Sequence, residues 1–166
     1  MYYILQEVEV AGTACTDVVL STPSYESLTC VLPSGVGLTV DVVVMMRVSD
    51  FETLQSLQTP LLGYAAPSVF TLQHPDCSPS IPSPTLVNCP RSGGGRITIN
   101  GTNFGGSGAV VLIGNTVCAD LVHMSMVPQS ELQCDLPEGS AGDYPLVLIQ
   151  SGGAVAAVGN ITVVLH

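Results

Sequence analysis

One segment of this sequence occurs twice. Leu28-Thr29-Cys30-Val31-Leu32-Pro33-Ser34-Gly35 returns as Leu132-Gln133-Cys134-Asp135-Leu136-Pro137-Glu138-Gly139, and Gly12-Thr13-Ala14-Cys15 returns as Gly114-Asn115-Thr116-Val117-Cys118. Both cysteines and the Leu-Pro pair keep one spacing between copies to within a single residue, which chance matches would not do. The chain must therefore build one fold twice. The copies are unequal, because only 14 residues precede Cys15, whereas Cys118 is preceded by a long run from Pro67 onward. Roughly thirty residues, about two strands' worth, have no counterpart in the first copy. Residues 1–66 are thus expected to form an incomplete sandwich with an exposed groove and unpaired edges, and residues 67–166 a nearly complete one.

The local signals are those of strands. Glu131-Leu132-Gln133-Cys134-Asp135-Leu136 alternates polar and apolar without a fault, and Ser27-Leu28-Thr29-Cys30-Val31-Leu32 places Leu28, Cys30 and Leu32 on one face. Ala109–Ile113, Thr39–Val44 and Pro145–Ile149 read as buried or half-buried strands separated by Gly- and Pro-bearing turns. Ser49 and Glu52 have capping-box spacing for one short helix, and a loop fits equally well. Residues 145–165 carry no charge, but Gln150-Ser151-Gly152-Gly153 and Gly159-Asn160 interrupt them, so two strands around a glycine turn fit better than a membrane helix.

Ser92-Gly93-Gly94-Gly95-Arg96-Ile97-Thr98-Ile99-Asn100-Gly101-Thr102-Asn103-Phe104-Gly105 resembles the opening of IPT/TIG domains, the immunoglobulin-like folds of plexins and certain transcription factors. Val111-Leu112-Ile113-Gly114, Cys118, Ser130 to Cys134 and Leu136-Pro137-Glu138-Gly139 continue the likeness, and Tyr64-Ala65-Ala66-Pro67-Ser68-Val69 is similar to a junction between two such domains. The resemblance implies an all-β chain of two tandem sandwiches, the first lacking its N-terminal strands, in an extracellular setting. Receptors, adhesion proteins and surface proteins use the family in this way. Residues 76–90 depart from the pattern, being longer and richer in proline than the usual opening loop.

Six cysteines allow fifteen pairings. The resemblance implies bridges at the repeat-equivalent pairs Cys15–Cys30 and Cys118–Cys134, and Cys77–Cys89 would then close a Pro/Ser-rich loop at 77–89. Asn100-Gly101-Thr102 and Asn160-Ile161-Thr162 are N-glycosylation sequons, Asn100 expected at a glycine turn after a strand and Asn160 at the opening of the last strand. Ser78, Pro79, Ser80, Pro82, Ser83, Pro84 and Thr85 resemble the Ser-Pro repeats of O-glycosylated surface glycoproteins. Covalently attached glycans are accordingly expected.

Composition limits the partners. The chain has three arginines, no lysine, 13 carboxylates and a formal charge of −10. Three cations cannot neutralise a phosphate track, so nucleic acid is not an expected partner; an anionic membrane surface is disfavoured for the same reason. Only 10% of residues are charged, against about 25% in ordinary domains. Solubility must come from Ser, Thr and Asn, from glycans, or from burial in an assembly.

No enzymatic chemistry is expected. His74, His123 and His166 have no nucleophile motif beside them, Gly93-Gly94-Gly95 and Gly105-Gly106-Ser107-Gly108 lack the lysine of a phosphate loop, and no cofactor is implied. Zinc would need His74 with Cys77 and Cys89 but lacks a CxxC element. Calcium would need Asp120, Asp135, Glu138 and Asp143 to gather without a calcium-loop motif. No metal site is therefore expected. Met1–Glu7 has neither the basic start nor the apolar run of a leader, as for a processed chain or a portion of a longer one. The expected function is a structural repeat unit that assembles head-to-tail with copies of itself into an extracellular filament or surface array, a neighbour completing the first domain. The alternative is a ligand-binding or adhesion module of a receptor-like ectodomain.

Overall fold

The computed structural model describes residues 5–21, 26–49, 52–81, 84–153 and 155–163, and every regular element among them is a strand. No helix among the described residues is long and apolar enough to cross a membrane. The chain divides into two compact units, Met1–Tyr64 and Ala65–His166.

The first unit contains β1 (Leu5–Val10), β2 (Thr13–Ala14), β3 (Thr16–Leu20), β4 (Leu28–Val31), β5 (Val40–Ser49), β6 (Glu52–Gln55) and β7 (Thr59–Leu62). The second contains β8 (Ser68–Gln73), β9 (Ser78–Ser80), β10 (Thr85–Cys89), β11 (Arg96–Thr102), β12 (Val110–Ile113), β13 (Thr116–Val117), β14 (Ala119–His123), β15 (Glu131–Asp135), β16 (Gly142–Ile149) and β17 (Val155–Val163).

In the second unit a six-stranded sheet, β13-β12-β16-β17-β10-β9, accompanies a four-stranded one, β14-β15-β11-β8. All neighbours are antiparallel except β10 and β17, which run parallel. Strand alternation delivers Leu86, Ile97, Ile99, Val111, Leu132, Leu146 and Leu148 to one core, all fully buried together with Phe104. Each such side chain contributes about 1.5–3 kcal/mol relative to exposure. The uncharged stretch from Pro145 becomes the β16–β17 hairpin, turning at Gln150–Gly153.

The first unit repeats part of this plan. β1, β2 and β5 pair as β12, β13 and β16 do, and β3–β4 pair as β14–β15 do. Even the irregularities recur, since Asp17 and Asp120 both sit at a register shift with φ of 52° and 50°. No described strand of this unit corresponds to β8 or β11, and β3–β4 stand as a two-stranded sheet. Its core is correspondingly small: Val8, Val10, Cys15 and Val40, with half-buried Leu28, Cys30 and Tyr64 against them. The Tyr64 hydroxyl donates to the Pro33 carbonyl at 2.7 Å and lies over Gly35, where a Cβ would meet the ring at 2.5 Å.

One pair of sequence alternatives is decided, and two expectations are corrected. Ser49 ends β5 and Glu52 begins β6, so these residues flank a hairpin and cap no helix; residues 50 and 51 lie outside the described set. Asn100 lies within β11, which continues to Thr102 through a register shift, and does not follow the strand. Asn160 lies inside β17, registered between Thr85 and Pro145, and does not open that strand.

Candidate functional site

The glycine-rich opening of the second unit proves to be a packing device. Gly93, Gly94 and Gly95 have φ of 60°, 81° and 72°, a region most side chains avoid. A Cβ on Gly95 would lie 2.7 Å from Nε2 of His74, and one on Gly93 would lie 2.5 Å from the Leu136 carbonyl oxygen. Gly94 N–H donates to Leu136 O at 2.8 Å, and Leu136 N–H donates to Gly95 O at 3.1 Å. The loop thus wraps His74 and stitches itself to the end of β15.

His74 is buried with both ring nitrogens engaged. Asp76 N–H donates to Nδ1 at 3.1 Å, so Nδ1 carries no proton and Nε2–H donates to the Gly94 carbonyl at 2.8 Å. His123 is pinned in the opposite tautomer: Ala109 N–H donates to its Nε2 at 3.2 Å and Nδ1–H donates to Pro128 O at 3.0 Å. Neither imidazole is free to move protons for a substrate. His166 lies outside the described residues.

The cysteines are paired Cys15–Cys30, Cys77–Cys89 and Cys118–Cys134. Pairing removes Cys77 and Cys89 as thiolate ligands beside His74. Asp135 accepts from Arg96 at 3.0 Å, and Arg96 also donates to the Asp120 carbonyl at 3.0 Å, tying β11, β14 and β15 together. A half-exposed pair of this kind contributes at most about 1 kcal/mol. Among the described residues no three His, Cys, Asp or Glu side chains are grouped to hold a metal.

One concave feature of the second unit lies where the edge strands of its two sheets approach. β8 ends the four-stranded sheet and β9 the six-stranded one. Between them a cleft of about 320 Å³ is lined by Thr71, Leu72, Gln73, His74, Cys77, Pro79, Thr85 and Leu86. The Cys77–Cys89 bridge ties the turn after β8 to the end of β10 and braces the rim. The rim offers hydroxyls and an amide over an apolar floor, with no Asp, Glu, Lys or Arg side chain. Its volume falls at the lower end of the range for small-ligand sites, about 300 Å³ and upward.

From the sequence, Ser78, Pro79, Ser80, Pro84 and Thr85 read as part of a disulfide-closed, glycan-bearing loop. They form or flank β9 and β10, and Pro82 and Ser83 lie outside the described residues. Thr71 and Gln73 went unmarked, and alternation around buried Leu72 was the one signal that could have placed them. Asn100 lies half-buried, registered between Thr71 and Glu131, remote in sequence from the proline loop. The side chain of Asn160 lies outside the described residues.

Residues 79–163, just over half of the chain, match the IPT/TIG domain model. No curated protein sequence matches the chain. Among solved structures, the chain is similar to the surface glycan-binding protein PbSGBP-B of Prevotella bryantii, at TM-score 0.54 and 16% identity, over 92% of this chain and 32% of that one. A weaker likeness joins it to SGBP-B of the mixed-linkage glucan utilization locus of Bacteroides ovatus, solved with a mixed-linkage heptasaccharide, at TM-score 0.37 and 15% identity, over 98% of this chain and 37% of that one. The chain spans about a third of the length of these structures.

Proposed function

Since this chain belongs to the IPT/TIG domain family, we propose that it is a non-enzymatic ligand-binding or adhesion module of a secreted or cell-surface protein. The observation that carries this reading is the disulfide-braced cleft between β8, β9 and β10, lined by hydrogen-bonding but uncharged rim groups. Three disulfides with no free cysteine suit an oxidising compartment. The pinned histidines support a role without acid–base chemistry.

The ligand class that suits the cleft is a neutral, hydroxyl-rich group of about one sugar ring. Thr71 and Gln73 offer donors and acceptors and exposed Pro79 offers apolar contact, while Leu72 and Leu86 belong to the core beneath. PbSGBP-B, whose fold this chain shares, is by name a glycan binder; the likeness supplies a ligand class to test. An N-linked glycan on Asn100 and O-linked glycans on the β9 segment belong to the same surface reading. The head-to-tail filament expected from the repeat, the incomplete first copy and the charge-poor composition has no supporting observation, and the module reading takes its place.

Isothermal titration of the intact chain against a panel of neutral oligosaccharides tests the proposal. One member is expected to bind, with affinity falling tenfold or more in Gln73→Ala. Absence of binding by every member at millimolar concentration would overturn the glycan class, and binding indifferent to Gln73→Ala would overturn the cleft as its site.

A further inference from the structure

We propose that the open edge of β4 is a strand-acceptor site, filled by an antiparallel polypeptide segment from outside these 166 residues that carries the alternation of β11: apolar, polar, apolar, polar, glycine. The proposal concerns the first unit and stands independently of the cleft in the second.

The second unit supplies the template. There β15 is paired on one edge with β14 and on the other with β11, Ile97 lying opposite Cys134 and Ile99 opposite Leu132. The first unit reproduces β14–β15 as β3–β4, register shift included, yet no described strand lies on the far edge of β4.

The backbone groups on that edge can be named. Ser21 N–H donates to Ser27 O, so residue 27 and, by the strand's period of two, residues 29 and 31 turn their polar groups toward β3. Leu28, Cys30 and Leu32 turn theirs to the open side. They are the counterparts of Leu132, Cys134 and Leu136, and Leu136 in the second unit bonds to Gly94 and Gly95 on that side. The side chains tell the same story. Leu136 is 3% exposed, whereas Leu32 is 45% exposed; Leu132 and Cys134 are fully buried, whereas Leu28 and Cys30 are half-buried. An edge with outward backbone groups above an apolar floor is what β-augmentation uses.

A second copy of this chain is a poor donor. Among the described strands the required alternation belongs to β11, which is paired on both edges and whose Ile97 and Ile99 are fully buried. Donating it would dismantle the second unit. Two copies would also bring net charges of −10 together. A segment like Ser92–Gly105, with one arginine and no carboxylate, meets no such repulsion.

The test uses a fluorescent peptide with the sequence of residues 92–105, titrated into the intact chain. Saturable one-to-one binding is expected, with hydrogen exchange at Leu28, Cys30 and Leu32 slowed about tenfold or more and β15 unchanged. A peptide carrying Ile97→Asp and Ile99→Asp is expected not to bind. In the chain, Leu32→Pro removes an N–H that faces the open side and that β3 does not use, so affinity for the peptide should drop at least tenfold while circular dichroism stays the same. If that variant fails to fold, the Asp-bearing peptide decides alone. Lack of saturable binding, protection elsewhere, or equal binding of the Asp-bearing peptide overturns the proposal. So does protection of the same amides on raising the chain's concentration without peptide, which would make the occupant a second copy.

Discussion

Gly101 shows how tightly single positions are specified. Its φ is not left-handed, so the requirement is space: a Cβ there would collide with the Ser68 carbonyl oxygen and come within 2.6 Å of the Phe104 ring. Gly101→Ala must displace either β8 or the Phe104 plug, and a loss of about 1–3 kcal/mol is expected in denaturant titrations, in line with overpacked cores. Asn103, three residues after Asn100, tolerates its φ of 60° as asparagines do, and its Nδ2 donates to Ala66 O at 3.2 Å. Asn100 makes a separate prediction. Its half-buried side chain lies on the outer row of β11, followed by exposed Thr102. Chain secreted from eukaryotic cells should lose mass on treatment with an N-glycosidase, and Asn100→Gln should remove that part of the shift; mass unaffected by the substitution would count against glycosylation there.

At the scale of elements, the loop that departs from the family pattern turns out to be partly sheet. Pro79 lies in β9, an edge strand, where a missing N–H costs little. Replacing Cys77 and Cys89 together by Ser should cost about 3 kcal/mol in the chain-entropy model. It should also raise protease cutting within 77–89 while β11–β17 stay folded, as limited proteolysis with mass mapping would report. Strands with clean alternation were legible in advance: the 131–136 run contains β15 (Glu131–Asp135), and the 27–32 run contains β4 (Leu28–Val31). The β9–β10 segment was not, because proline and serine weaken the strand signal and pairing with β17, far along the chain, decides its conformation. The cleft was equally hidden. It is assembled from Thr71, Gln73 and Thr85 on two sheets, and no local pattern announces a meeting of edges. The glycine run was readable as turns, but its contact with His74 was not, since nothing between them in sequence records the approach.

For the whole molecule, the two units share a plan and differ in how much of it is buried. The second encloses a core that includes eight fully buried large apolar side chains, whereas among the described residues the core cluster of the first joins Val8, Val10, Cys15 and Val40 with half-buried neighbours. Amides of β1, β4 and β5 should therefore exchange at least about tenfold faster than those of β11, β15 and β16 in native-state hydrogen exchange. Uniform protection across both units would contradict this. The pairing of β17 carries a last consequence. It is the strand that joins β16 to β10, so without it the six-stranded sheet falls into β13-β12-β16 and β10-β9. On the ribosome the second unit cannot close until β17 has emerged, and throughout that interval Leu86, Leu146 and Leu148 await their cover. Apolar surface left exposed over that interval is open to aggregation, so a nascent chain of this design gains from whatever shields it before β17 arrives.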